Sequence, residues 1–287
     1  MPILGAHVSI VGGYHEAVRR ARQSGCDCLQ LFTKNGNQWR DREVAEIEAE
    51  QFVAALVEQK ITHPLAHDSY LINLASPDKP LWRKSVDSLV AEVQRCDRLR
   101  IPYVVIHPGA SIDGNESGGI RRIVRALDQV HTRVGATLTR VLLETTAGQG
   151  TSLGWKFEHL AAMLEGVKDA ERLGICLDTC HVFAAGYPLG NEDDYQATMH
   201  TLDTLVGLGQ IKAFHVNDSA RPLGSRVDRH AHIGRGQMGI EPFRFLLNDS
   251  RFFSIPMYLE TPKGLEDGVE LDVVNLTTLR SLVHPGP

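Results

Sequence analysis

Short apolar or β-branched runs alternate along the whole chain with stretches whose apolar residues recur three and four positions apart. The runs fall at residues 3–8, 28–32, 61–67, 103–107, 141–145, 175–179, 211–216 and 257–261. Four of the intervening stripes are clear: Tyr14, Ala17, Val18 and Ala21; Trp82, Val86, Leu89, Val93 and Cys96; Ile120, Ile123, Val124 and Leu127; Phe157, Leu160, Ala161 and Leu164. Fainter ones place a second helix at Phe52, Ala55 and Leu56, a sixth at Leu202, Leu205 and Val206, a seventh at Phe243, Leu246 and Leu247, and an eighth at Val269, Val273 and Leu276. A strand, a crossover helix and another strand build a parallel sheet, because parallel neighbours cannot be joined by a tight turn. Eight such units without a Pro/Ser-rich linker predict an α/β fold, a (β/α)₈ TIM barrel forming a single domain over 1–287. A doubly wound open sheet would show the same alternation. However, Gly12 and Gly13 after the first run are only a pair and not a dinucleotide-binding fingerprint.

Composition narrows the class. At 287 residues with 43% hydrophobic and 23% charged side chains, the chain can bury a sizeable core and shows no bias toward disorder. No apolar run reaches membrane-spanning length, and a strand pattern begins within three residues of the start, so no membrane association and a cytoplasmic address are expected. The five cysteines are odd in number and scattered, which predicts buried free thiols, Cys180 among them as a packing residue. A net charge of −5 disfavours nucleic-acid binding until metals are considered. Three divalent cations would bring the total from −5 to about +1 and put the positive charge where a phosphate would sit.

The chemistry lies at the ends of the runs. His7, His67, His107, Glu144, Asp178, His215 and Glu260 each close one, and from His67 onward they are separated by 40, 37, 34, 37 and 45 residues, one βα unit each time. In a barrel all strand C-termini open on one mouth, so these side chains would converge. A single polar strand end is ordinarily a satisfied structural residue. Carboxylates and imidazoles crowded together without cations would cost several kcal/mol each in desolvation and repulsion. Imidazole with carboxylate suits Zn²⁺, Mn²⁺ or Fe²⁺. His181, just past Asp178, and the Asp228-Arg229-His230 triplet add ligands, and nine candidates point to three metals. His15, His63, His131, His159, His200, His232 and His284 lack this positional logic and are expected on surfaces or helices.

These residues sit in longer motifs. Gly5-Ala6-His7-Val8-Ser9, Leu31-Phe32-Thr33-Lys34-Asn35, His67-Asp68-Ser69-Tyr70-Leu71-Ile72-Asn73-Leu74, His107-Pro108-Gly109, Leu177-Asp178-Thr179-Cys180-His181, His215-Val216-Asn217-Asp218, Gly224-Ser225-Arg226-Val227-Asp228-Arg229-His230 and Leu259-Glu260-Thr261 follow in order over almost the whole sequence. In them the chain resembles the endonuclease IV family of abasic-site endonucleases. The resemblance implies a TIM barrel with a trinuclear zinc site, manganese being possible. His67, His107 and Glu144 would hold one metal. Glu144 would bridge to a second, held also by Asp178, His215 and Glu260, and His181, Asp228 and His230 would hold the third. It implies hydrolysis of the phosphodiester 5′ to an abasic site in double-stranded DNA, leaving a 3′-hydroxyl and a 5′-deoxyribose phosphate, by a monomer that also trims blocked 3′ ends. Tyr70 and Leu71 match the residues that wedge into the DNA. Asn37 stands where family members often carry an inserting arginine, so that contact is expected to be altered.

Two rivals follow from the same residues. Sugar isomerases and epimerases share the barrel and a His/Glu/Asp metal site, but need one or two metals, leaving His181, Asp228 and His230 without a purpose. A non-catalytic lesion binder would not need a bridging carboxylate.

Overall fold

The inward-facing strand positions explain both the core and the site. In the computed structural model, which describes residues 2–284, eight parallel strands close into a barrel. They are β1 (Leu4–His7), β2 (Cys28–Phe32), β3 (Thr62–His67), β4 (Tyr103–Ile106), β5 (Arg140–Glu144), β6 (Leu173–Asp178), β7 (Ile211–His215) and β8 (Met257–Leu259), with β8 paired to β1 to complete the ring. Side chains alternate across a strand with period two, so every second residue points into the barrel. Cys28, Leu65, Val105, Leu142, Cys176, Ala213 and Tyr258, one from each of β2 to β8, form a buried cluster inside the barrel. Gly5 completes that layer on β1. A Cβ there would lie 2.0 Å from the Cys28 carbonyl oxygen, so no larger residue fits.

Two residues further along every strand comes the next layer: His7, Gln30, His67, His107, Glu144, Asp178, His215 and Glu260. The polar ring at the mouth is therefore in register with the apolar floor beneath it. Outside the barrel, the helices pack their apolar stripes on the outward-facing strand residues, and Tyr14, Phe52, Leu89, Leu127, Phe157, Phe214 and Phe243 are almost wholly buried there.

Helices α1 (Tyr14–Gln23), α2 (Glu46–Gln59), α3 (Lys79–Arg98), α4 (Glu116–Val134) and α5 (Phe157–Gly166) bury the apolar stripes expected of them, with Leu56, Ile120, Val124, Ala161 and Leu164 only half-buried. Among these five, two starts carry side-chain caps. Asp78 accepts from the Leu81 N–H at 2.8 Å ahead of Pro80, and Asn115 accepts from the Gly118 N–H at 2.9 Å. The remaining helices are α6 (Thr179–Ala185), α7 (Glu192–Leu205), α8 (Glu241–Asn248) and α9 (Leu271–Ser281).

Two expectations need correction. The sequence pattern offered no sign of α6, which is too short for a stripe. Val269 belongs to no helix. It sits in a two-residue strand, 45% exposed, and α9 begins only at Leu271 with Asp272 and Asn275 on its buried face beside Leu276 and Leu279. His131 and His159 lie on helices, within the expectation of surface or helix positions, and both are buried. All five cysteines are buried and free, as expected. Among the described residues no helix is long and apolar enough to cross a membrane.

Candidate metal centre at the barrel mouth

All nine candidate ligands meet at the C-terminal end of the barrel. Glu144, from β5, is fully buried at the centre. Its Oε2 lies 3.2 Å from His67 Nε2 and 3.0 Å from His107 Nε2, and its Oε1 lies 2.9 Å from His215 Nδ1 and 3.3 Å from His181 Nδ1. Ligand-type atoms of His67, His107 and Glu144 lie within 4.8 Å of one another, as do those of Glu144, Asp178, His215 and Glu260, and those of Asp178, His181 and His230. Asp228 Oδ1 approaches that last group at 3.2 Å from His181 Nε2 and 3.5 Å from His230 Nε2.

Local structure sets these positions. Asp178 ends β6 and is also the N-cap of α6, its Oδ1 accepting from the His181 N–H at 2.8 Å. The cap fixes the chain turn that carries His181 back over the mouth, so the i, i+3 spacing of Asp178 and His181 follows from helix geometry. A two-residue antiparallel pair, Asp218–Ser219 with His230–Ala231, brings the chain after β7 back and delivers Asp228 and His230.

Backbone acceptors decide which imidazole nitrogen is free. A carbonyl oxygen only accepts, so His181 Nδ1, 2.8 Å from the Thr145 oxygen, and His230 Nδ1, 3.1 Å from the Glu260 oxygen, both donate. His67 Nδ1 likewise donates to the Asp68 oxygen at 3.0 Å. The Nε2 atoms of all three thereby face the mouth. Those of His181 and His230 are buried with no hydrogen-bond partner, an arrangement that a cation would satisfy. His215 is reversed. Its Nε2 lies 2.7 Å from Gln30 Oε1 and donates to it, leaving Nδ1 toward Glu144, Glu260 and Asp178.

Gln30 and Asn217 are functional residues that strand-end reasoning missed. Gln30 joins His215, His7 and Glu260, its amide nitrogen lying 2.9 Å from His7 Nδ1 and donating to Glu260 Oε1. Asn217 donates to Asp178 Oδ2 at 2.7 Å and accepts from the Glu260 N–H at 2.8 Å. His7 ends its strand at 3.7 Å from Glu260 Oε1, outside the three ligand groups. Cys180 is buried and its thiol is pushed up to about 12 by burial, which fits packing and not nucleophilic chemistry.

The field of the site attracts positive charge. Burial works against ionisation throughout, yet the charges of His215 and His107 still hold Glu144 well below the usual carboxylate range, and His215 together with the nearby His7 does so for Glu260. Burial likewise opposes protonation of His67, and its hydrogen bond to Glu144 overcomes this to raise it to about 9. The mouth is an open depression of about 410 Å³ lined by His67, Tyr70, His107, Asp228, His230 and Glu260 among others. At its rim Tyr70 is 61% exposed and packs edge-on against Phe32, with ring centroids 5.4 Å apart, while Leu71 is half-buried. Asn37 is exposed on the segment after β2, and the Ser69 hydroxyl donates to the Gly36 carbonyl at 2.6 Å, tying the Asn37 and Tyr70 loops together.

The closed barrel and its mouth of imidazoles and carboxylates define a class, a TIM-barrel enzyme equipped to bind metal ions. A sequence family described as "Xylose isomerase-like TIM barrel" matches residues 18–274. A probable endonuclease 4 of Chloroflexus aggregans is 51% identical over 288 residues, covering 99% of each chain. The crystal structure of endonuclease IV from Thermus thermophilus is similar with a TM-score of 0.86 and 36% identity, covering 98% of both chains. A D-tagatose 3-epimerase-like protein, with a TM-score of 0.70 but 18% identity over 97% of this chain and 96% of its own, shares the fold alone. The chain belongs to the endonuclease IV family and is a nuclease, hence a hydrolase, of the DNA-repair type.

Proposed function

We propose that the protein hydrolyses the phosphodiester immediately 5′ to an abasic site in double-stranded DNA, leaving a 3′-hydroxyl and a 5′-deoxyribose phosphate, and that it trims blocked 3′ ends. The observation that carries this reading is the shared Glu144 carboxylate at the centre of three adjoining donor groups. His67, His107 and Glu144 would hold one divalent cation, Glu144, Asp178, His215 and Glu260 a second, and His181, Asp228 and His230 a third. The mixed imidazole and carboxylate set favours Zn²⁺, with Mn²⁺ accepting the same donors. When bound, such ions supply Lewis-acid stabilisation of phosphoryl oxygens and an acidified water.

The chain's own residues supply position and shape. Gln30 and Asn217 lock His215, Glu260 and Asp178, so the donors need not reorganise when a phosphate arrives. Tyr70 and Leu71 stand at the rim as a wedge, with Asn37 on the loop tied to theirs. A missing base lowers the cost of unstacking, which makes an abasic nucleotide the cheapest one to turn out of the duplex. The sugar-epimerase reading leaves the His181, Asp228 and His230 group idle.

The reading is tested by incubating a synthetic duplex containing one abasic site with protein of measured metal content. A single nick 5′ to the lesion, abolished by chelation and restored by Zn²⁺ or Mn²⁺, is expected; full metal content without incision would contradict it. In the same assay Tyr70→Ala is expected to raise KM for the abasic duplex by roughly tenfold, the scale of losing one aromatic contact with a base, and to change kcat little. Tyr70→Phe should behave as wild type. A fall in kcat at unchanged KM would show that Tyr70 is not a wedge.

A further inference from the structure

The excursion from 220 to 229, which carries Asp228, is held to the rest of the mouth by few contacts, and one of them is aromatic. Its ends are anchored by the Ala220 N–H to Arg229 oxygen bond at 2.9 Å, and its middle by Gly224 and Arg226 N–H groups donating to the end of α6, at Phe183 and Ala184 oxygens. Its far side faces the loop after β5. There the Asp228 N–H donates to Gln149 Oε1 at 2.9 Å, and the Arg226 guanidinium lies over the Trp155 ring at 3.7 Å from its centroid. Arg226 adopts a left-handed backbone with φ of 52°, uncommon for any residue but glycine.

Trp155 is itself fixed from the other direction. His159, buried in α5, meets it edge-on at 5.9 Å and accepts from the Gly154 N–H at 3.3 Å. Gly148, at φ 77°, lies beneath the indole; a Cβ there would come within 2.8 Å of Trp155 Cγ. A second cation, Lys156 Nζ, stands 4.6 Å from the same ring but is already paired with Glu116 at 2.9 Å, so Arg226 is the cation whose orientation depends on the indole.

We propose that Trp155 is a positioning residue, whose indole latches Arg226 and so holds the 220–229 excursion where Asp228 reaches His181 and His230. The consequence for metal rests on the ligand set proposed above; the latch itself does not. Asp228 is the most exposed of the nine candidate ligands, with a side chain 39% accessible, and it comes from an excursion outside the barrel strands. A modest loosening there falls first on the His181, Asp228 and His230 group and leaves the two groups that share the buried Glu144 in place.

The test compares the full-length, as-purified protein with Trp155→Ala, Trp155→Phe, Arg226→Gln and the Trp155→Ala/Arg226→Gln double variant. Hydrogen exchange of peptides spanning 220–229 is expected to accelerate about three- to tenfold in either single variant, the range of one cation–π contact, with barrel-strand peptides unchanged. The double variant should be no faster than the singles, and Trp155→Phe, which keeps a ring face, should lie close to wild type. Under a chelator challenge, Trp155→Ala should lose one ion per chain faster than wild type while the others are retained. Unchanged exchange, or strictly additive effects in the double variant, would overturn the latch. Faster exchange with metal release identical to wild type would overturn the positioning role. Wild-type protein that holds no metal would overturn the ligand reading instead, and the exchange data would still judge the latch. The Arg226 side chain lies outside the core, so Arg226→Gln keeps the test decisive even if Trp155→Ala folds poorly.

Discussion

Replacing Glu144 by Gln is expected to reduce abasic-site incision by at least about a thousandfold, because several kcal/mol of charge stabilisation depend on the carboxylate that two donor groups share. The substitution keeps the shape of the side chain and removes one negative charge. Four imidazoles face that carboxylate within 3.3 Å, and the amide offers them an N–H where one oxygen stood. Metal content should fall together with activity, by about two ions per chain on the proposed ligand assignment. Incision measured beside metal content separates the possibilities. A variant that keeps its full complement and cuts within tenfold of wild type would remove Glu144 from the centre of the chemistry.

Replacing Arg95 by Met is expected to destabilise the fold by roughly 3–5 kcal/mol, the penalty for stripping a buried charge of its partner. Arg95 and Glu92 lie on the buried face of α3, where the Arg95 guanidinium bonds Glu92 and Asp41 and its Nε donates to Thr33 Oγ1 at 2.9 Å. Burial works against the charge on Arg95, and Glu92 more than compensates, so the guanidinium is held more firmly protonated than usual. Without it Glu92 keeps only the Thr33 hydroxyl. For a chain of this size the loss amounts to a melting temperature lower by about 10 °C. The double variant Glu92→Gln/Arg95→Met should recover much of it. Thermal unfolding of the three proteins decides the matter, and a single-variant loss below about 1 kcal/mol would mean the network carries no net weight. Thr33 begins the segment that bears Asn37, so weaker DNA binding should accompany the instability.

Much of this architecture was legible in the chain because a barrel converts two simple periods into position. Parallel strands buried on both faces read as continuous apolar runs, and the helix stripes between them bury the residues their spacing picks out. The polar ring was legible at seven of eight strands since those residues end their runs. Gln30 escaped because it stands inside its run, between Leu29 and Leu31, where it looks like an interruption. Counting two residues on from Cys28 places it in the same ring as Glu144, so the period-two register was the signal that could have found it.

Other misses have equally local causes. Helix α6 is seven residues long and buried nearly all round, and its start is set by the Asp178 cap, which sequence spacing offered only as a ligand. In α9 the buried face carries Asp272, which binds Lys263, and Asn275, which donates to Thr261 Oγ1 and accepts from the Ile233 N–H. Apolar periodicity could not reveal a face that docks through hydrogen bonds, so the stripe was drawn too early, through Val269. His131 and His159 fell on helices as expected, but their burial was not legible. Each lies at a buried helix position, and nothing in their spacing distinguished them from surface histidines.

On the proposed function, imidazoles and carboxylates from successive strands share bound cations at one end of the barrel. X-ray data collected on either side of the zinc absorption edge, from crystals of protein purified without chelator, test it directly. Three anomalous peaks are expected at the mouth, one within coordination distance of His67, His107 and Glu144, one of Glu144, Asp178, His215 and Glu260, and one of His181, Asp228 and His230. Metal bound elsewhere with the mouth holding only water, in a protein that still nicks abasic DNA, would contradict it.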